Sequence, residues 1–224
     1  MSAASRPKWP HRWRPDARRL LGSRPVCFDT MILTSLVRAN KTQMLVDSMK
    51  ARARMPGRVA GELRGHSHSN SEISKVVPPP PDGHSLGSAS FGETVTLTRD
   101  EAQRAADLQR AWHGRAAIDA KPDTDRGEAE CIAVCERRGW PLMSQDHRAV
   151  SAGRRRGVGV FGLPELLMLF AAEGRCLPTS AWKIYVDIAD SNERLVAQGW
   201  VCDGEAEHMF HQCCDILCAT NAAA

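Results

Sequence analysis

Four short apolar runs, PVCFDT (25–30), TVTLT (94–98), WPLMS (140–144) and GVGVFG (157–162), recur along this chain, with helix-like segments between them. Short buried strands alternating with helices imply a parallel sheet covered on both faces. The expected fold class is therefore α/β. Two of the runs end beside an acid, Asp29 and Asp146. In an open α/β sheet, ligands bind outside the carboxyl ends of the strands. Those two acids are the first candidates for a functional site.

The segments between the runs carry their own signals. Apolar residues at Ile32, Leu33, Leu36 and Val37, then Met44, Leu45 and Met49, predict one or two short helices after the first strand. MPGRVAGELRG (55–65) opens with Pro56 as a first helical residue, carries Glu62 and closes at Gly65. Thr98 and Glu101 have capping-box spacing ahead of a helix with Ala102, Ala105, Leu108 and Trp112 on one face. Asp125 and Glu128 repeat that spacing, Ile132 and Cys135 face inward, and Gly139 stops the helix. From about 65 to 90 the composition turns to His, Ser, Gly and Pro, which reads as a mobile insertion. Beyond Leu177 the pattern gives two or three helices without strands, so 178–224 is expected to be a C-terminal helical extension.

With 224 residues and 42% hydrophobic content, the chain has enough apolar surface for one domain with extensions. The net charge of +4 comes from one end. Residues 1–24 hold seven Arg or Lys against Asp16, and removing them leaves 23 basic residues against 25 acidic. That basic, disordered-looking arm fits a phosphate-contacting segment, a transit segment, or upstream sequence with little role. It has no apolar core of a secretory signal, and LPELLMLFAA is too short to span a bilayer. A cytoplasmic protein without membrane association is expected. Eight cysteines without an export signal read mainly as reduced, buried small hydrophobes.

The chemistry rests on four acids. Asp29 and Asp146 sit at predicted strand ends, and Glu62 and Glu128 lie on helices able to reach the same edge. Four carboxylates gathered there would repel one another unless a cation neutralised them. Oxygen ligands without thiolates favour Mg²⁺ or Mn²⁺, which suggests phosphodiester hydrolysis. Each acid also has a plain structural explanation. Asp29 and Asp146 suit helix N-caps, Glu128 suits the capping box with Asp125, and Glu62 suits a solvated helix face. His208, His211, Cys213, Cys214 and Cys218, with Cys202 upstream, raise a zinc site, but their spacing fits no usual paired-ligand pattern.

Taken in order, CFDTMILTSLVRA, MPGRVAGELRG, RGEAECIAVCERRGWPLMSQDHRAV and RGVGVFGLPELLMLFAAEG resemble the acidic elements and closing strand and helix of the PIN-domain family of metal-dependent nucleases. The likeness covers residues 25–177. It implies a three-layer α/β sandwich with a mostly parallel central sheet, and an acid cluster holding Mg²⁺ or Mn²⁺ to cleave RNA. Carried over, Asp29, Glu62, Glu128 and Asp146 are the metal-binding and catalytic acids in that order. Glu130 is the alternative to Glu128, and Ser144 is a supporting hydroxyl beside the last acid. Met31 departs from the family, which usually has Asn or Ser there. The expected function is a ribonuclease, in one version the toxin of a toxin–antitoxin pair, with RNA, an antitoxin protein and a second copy of the chain as candidate partners. The alternative is a catalytically silent PIN-like binding or assembly module. GRRRG (153–157) and the N-terminal arm are the candidate RNA-attracting patches.

Overall fold

The structure, a computed structural model, describes residues 20, 23–67, 71–78, 91–113, 125–191 and 202–222. They divide into two compact units, one within Gly22–Gly162 and one that includes everything from Leu163 onward. The helix at 163–172, expected to close the domain over 25–177, belongs with the C-terminal helices.

In the first unit the chain runs β1 (Val26–Phe28), α1 (Thr30–Arg38), α2 (Thr42–Met49), β2 (Ala53–Pro56), α3 (Gly57–Ser67), α4 (Ser71–Ser74), β3 (Glu93–Val95), α5 (Arg99–His113), α6 (Arg126–Arg138), β4 (Leu142–Met143), α7 (His147–Arg155) and β5 (Val160–Phe161). The sheet has five strands in the order β3-β2-β1-β4-β5, and every pairing is parallel. Its central strand, Val-Cys-Phe, is buried throughout, as a strand covered on both faces must be. Cys131 and Cys135 of α6 are buried with it, and α6 packs on β1, β2 and β4.

Local chemistry explains where the elements stop. Asn40 takes a positive φ of 56° between α1 and α2, while the Asn40 and Lys41 N–H groups bond back to Val37 and Leu36. That left-handed turn ends one helix and starts the next. Gly139, at φ 67°, ends α6 where expected. Gly92 leads into β3 so close to β2 that a Cβ would sit 2.6 Å from the Ala53 carbonyl oxygen. The capping box of α5 is present, with Thr98 N–H donating to Glu101 at 2.8 Å and Glu101 N–H to Thr98 Oγ1 at 3.3 Å. Arg138 at the end of α6 adds two guanidinium bonds to buried Glu101, at 2.7 and 2.8 Å, and stacks on Trp140. The start of α5 is thereby tied to the end of α6.

Three local expectations shift. Pro56 closes β2 instead of opening α3, with Arg54 of the same strand paired to Glu93 on β3. The strand predicted over 94–98 is Glu93–Val95. The insertion is partly ordered, because α3 runs to Ser67 and Ile73 and Val76 around α4 are buried. The remainder of it, and nearly all of the basic arm, lie outside the described residues.

The second unit contains α8 (Leu163–Ala172), α9 (Pro178–Asp190) and α10 (Gly204–Ala222), which pack on one another. Trp182 of α9 meets Phe210 of α10 at 5.4 Å between ring centroids. Among the described residues no helix is long and apolar enough to cross a membrane.

Candidate functional site

From β1 the chain moves outward to β2 and β3, then crosses back to add β4 on the other side of β1. The crevice at the carboxyl ends of β1 and β4 is thus the topological switch point of the sheet. Asp29 is the first residue beyond β1, and Ser144 to Asp146 directly follow β4. The helices α1, α3 and α7 start at this edge because each follows a parallel strand. The helix α6 starts there too, because it runs back to the opposite edge to feed β4.

Asp29 stands at the N-cap position of α1, yet its side chain caps nothing. Ser144 Oγ donates to Asp29 Oδ2 at 2.9 Å, and the residue is only 4% exposed. Burial, then the charge of Glu128, with Asp146 adding to it, pushes the Asp29 carboxyl up to about 7 despite the Ser144 bond. Glu128, in the first turn of α6, is also raised, by burial and then by the charges of Glu62, Asp146 and Asp125. Asp146 does act as an N-cap, accepting from the Ala149 N–H at 2.8 Å, while its own N–H donates to Ser144 Oγ at 3.2 Å. Glu62 accepts from Thr30 Oγ1 at 2.8 Å. The structure therefore brings Asp29, Glu62, Glu128 and Asp146 into one electrostatically coupled group, with Asp29, Glu128 and Asp146 at helix starts, where the helix dipole favours anions, and Glu62 midway along α3.

One sequence expectation about this edge is corrected. Asp125 does not form a capping box with Glu128; it has a left-handed backbone and no side-chain cap bond. Its carboxylate pairs with Arg148, and His113 lies 3.5 Å away. Glu128 is thereby left to face the other acids. Glu130 points elsewhere: Arg126 holds it at 3.0 Å, and burial, opposed by Arg126 and Arg58, raises its carboxyl. The arginines of GRRRG ride α7 to the edge where β5 begins, away from the acids, and Arg156 reaches Glu136 at 3.8 Å. In the C-terminal group, His208 bonds Gln212 and His211 faces Glu207, while Cys214 is buried.

Two contributors escaped the sequence reading. Thr30 supplies a hydroxyl one residue after Asp29, and its bond to Glu62 provides polar support that Met31 cannot. Gly127 lets α6 approach α3, since a Cβ there would lie 3.3 Å from Glu62 Oε1. The hydroxyl beside the strand-end acid was a visible signal for Thr30; nothing local marked Gly127.

As donors, the four acids offer only hard oxygens, a set that suits Mg²⁺ or Mn²⁺ over thiophilic ions. Among the described residues no three His, Cys, Asp or Glu side chains converge closely enough, as they stand, to hold a metal ion. No protein-family model, curated protein or solved structure matches the chain.

Proposed function

We propose that the chain is a Mg²⁺- or Mn²⁺-dependent ribonuclease with a PIN-like, three-layer sandwich. The observation that carries this reading is Asp29: a buried carboxyl at the switch point, pushed up to about 7 by burial and neighbouring acids. A desolvated acid in the field of other acids gains from a bound cation. Right-handed crossovers favour the three layers, because the links β1 to β2 to β3 advance in one direction and the return to β4 and β5 in the other.

On this reading Asp29 and Asp146 are the main ligands, and Glu62 and Glu128 complete the shell or orient the attacking water. A bound divalent ion supplies an activated water and stabilises charge developing on the phosphate. Ser144 fixes Asp29 and takes the Asp146 N–H, so one hydroxyl orients both principal ligands. Thr30 holds Glu62 from the other side. An antitoxin partner and pairing with a second copy belong to the same proposal.

The second reading, a silent binding module, is favoured by the failure of three acids to converge as they stand. One experiment separates the two. The purified chain is incubated with mixed RNA in Mg²⁺, Mn²⁺ or EDTA beside folded Asp29→Asn and Asp146→Asn variants. Asn retains N-cap capacity at 146, so that change tests chemistry more than helix capping. Metal-dependent cleavage lost in both variants supports the nuclease. Equal inertness of all three, with no Mn²⁺ binding, leaves the binding module.

A further inference from the structure

We propose that Arg126 and Arg148, with Arg58 beside them, form a phosphate-binding rim that holds an RNA strand at the acid cluster; this rests on the ribonuclease reading. Arg58 is the second residue of α3, Arg126 the first of α6 and Arg148 the second of α7. All three helices start at the carboxyl edge of the sheet. A cation in the first turn works against the helix dipole. Pairs within their own helices, Arg58 with Glu62 and Arg126 with Glu130, offset this for two of them, so all three stand at the crevice already paired with carboxylates.

Their neighbours tie them to the site. Arg58 lies 3.7 Å from Glu62 itself. Arg148 pairs with Asp125, whose charge acts on Glu128. Arg126, adjacent to Asp125 in the chain, pairs with Glu130. The side chains of Arg126 and Arg148 remain 54% and 53% exposed. Ion pairs this open contribute little to stability, so a phosphate can share or replace the carboxylate partner. The guanidinium fork is shaped for bidentate contact with phosphate oxygens. The rim also answers an electrostatic difficulty, because a bare cluster of acids repels a polyanion before any chemistry begins.

The test measures binding of a short, end-labelled single-stranded RNA to the full chain by fluorescence anisotropy, in EDTA, over a range of salt concentrations. Each phosphate of a single strand that is no longer neutralised lowers the slope of log K against log salt by about 0.7. For Arg126→Ala/Arg148→Ala the slope should fall by about 1.4, with Kd rising about tenfold per arginine. Arg155→Ala, at the far end of α7, should change neither quantity. Arg126→Lys/Arg148→Lys keeps the charges and should retain the slope, which separates removal of charge from misfolding. The rim is overturned if wild type does not bind, if the alanine pair keeps the wild-type slope, or if Arg155→Ala lowers it equally. Arginine-dependent binding without metal-dependent cleavage would retain the rim and reject the ribonuclease.

Discussion

Ser144 Oγ donates to Asp29 Oδ2 across the junction of β1 and β4, 115 residues apart in the chain, while accepting the Asp146 N–H. One hydroxyl thus joins the two strand ends that form the switch-point crevice. Ser144→Ala removes a side-chain donor to a buried carboxylate, an interaction worth roughly 1.5–3 kcal/mol when the acceptor is charged. Urea denaturation should show a larger loss at pH about 8.5, where Asp29 is ionised, than at pH about 5. An equal loss at both pH values would count against the Asp29 assignment.

The raised Asp29 carboxyl makes stability depend on pH in an unusual direction. Its folded-state value, about 7, lies above the ordinary 3.8, so the folded state binds the proton more tightly. As far as this group is concerned, stability should therefore be highest below about pH 4 and fall as pH rises from there to about 7. Glu128 is shifted the same way and adds to the trend. The drop is on the order of a few kcal/mol, and Asp29→Asn should remove most of it. Thermal melts between about pH 4.5 and 8 in EDTA test this. Added Mn²⁺ should flatten the wild-type profile at the high-pH end, since the cation competes with the proton for the same oxygens.

Glu128 and Glu130 give opposite expectations. Glu128→Gln removes a carboxylate from the coupled group, so cleavage should fall by roughly a hundredfold or more, as for a group acting directly in the reaction. Melting in EDTA should rise slightly as repulsion is relieved. Glu130→Gln should leave cleavage within a few-fold of wild type, because its partner is Arg126. Reversed outcomes would exchange the roles of the two residues.

Gly127→Ala separates folding from chemistry. Alanine is the better helix former by up to about 1 kcal/mol, yet its Cβ would press within 3.3 Å of Glu62 Oε1. Thermal stability should hold or rise while Mn²⁺ affinity and cleavage fall. A fall in stability would mean instead that α3 and α6 are too tightly packed to yield.

The cysteines should divide by position. Cys27, Cys131 and Cys135 are buried, whereas Cys202 is exposed. Under native conditions iodoacetamide should modify Cys202 well before that trio, which should react only after denaturation. Peptide mass mapping reads this directly. Early labelling of the trio would require the β1–α6 core to open far more readily than its packing implies.

Much of the architecture was legible along the chain because it is local. Periodicity marked the helices and four of the five strands but not β2, whose Arg54 interrupts the apolar pattern; Gly139 marked a helix end, the Thr98–Glu101 pair marked a helix start, and acids beside two apolar runs marked the carboxyl edge. These signals depend on backbone sterics and on partners within four residues, so the order of residues alone determines them. The tertiary structure decided which acids meet. Glu128 and Glu130 are two residues apart, about 200° around a helix, and only the packing of α6 on the sheet selects the one that faces Asp29. Thr30 finds Glu62 and Asp125 finds Arg148 across 32 and 23 residues, pairings that local preference cannot encode. The same holds for the arginines: the conspicuous run at 153–157 lies at the far edge, and the isolated Arg58, Arg126 and Arg148 lie at the near one. A helix start is written in its own residues, but its direction and its azimuth follow from burying one face against strands that are distant in sequence.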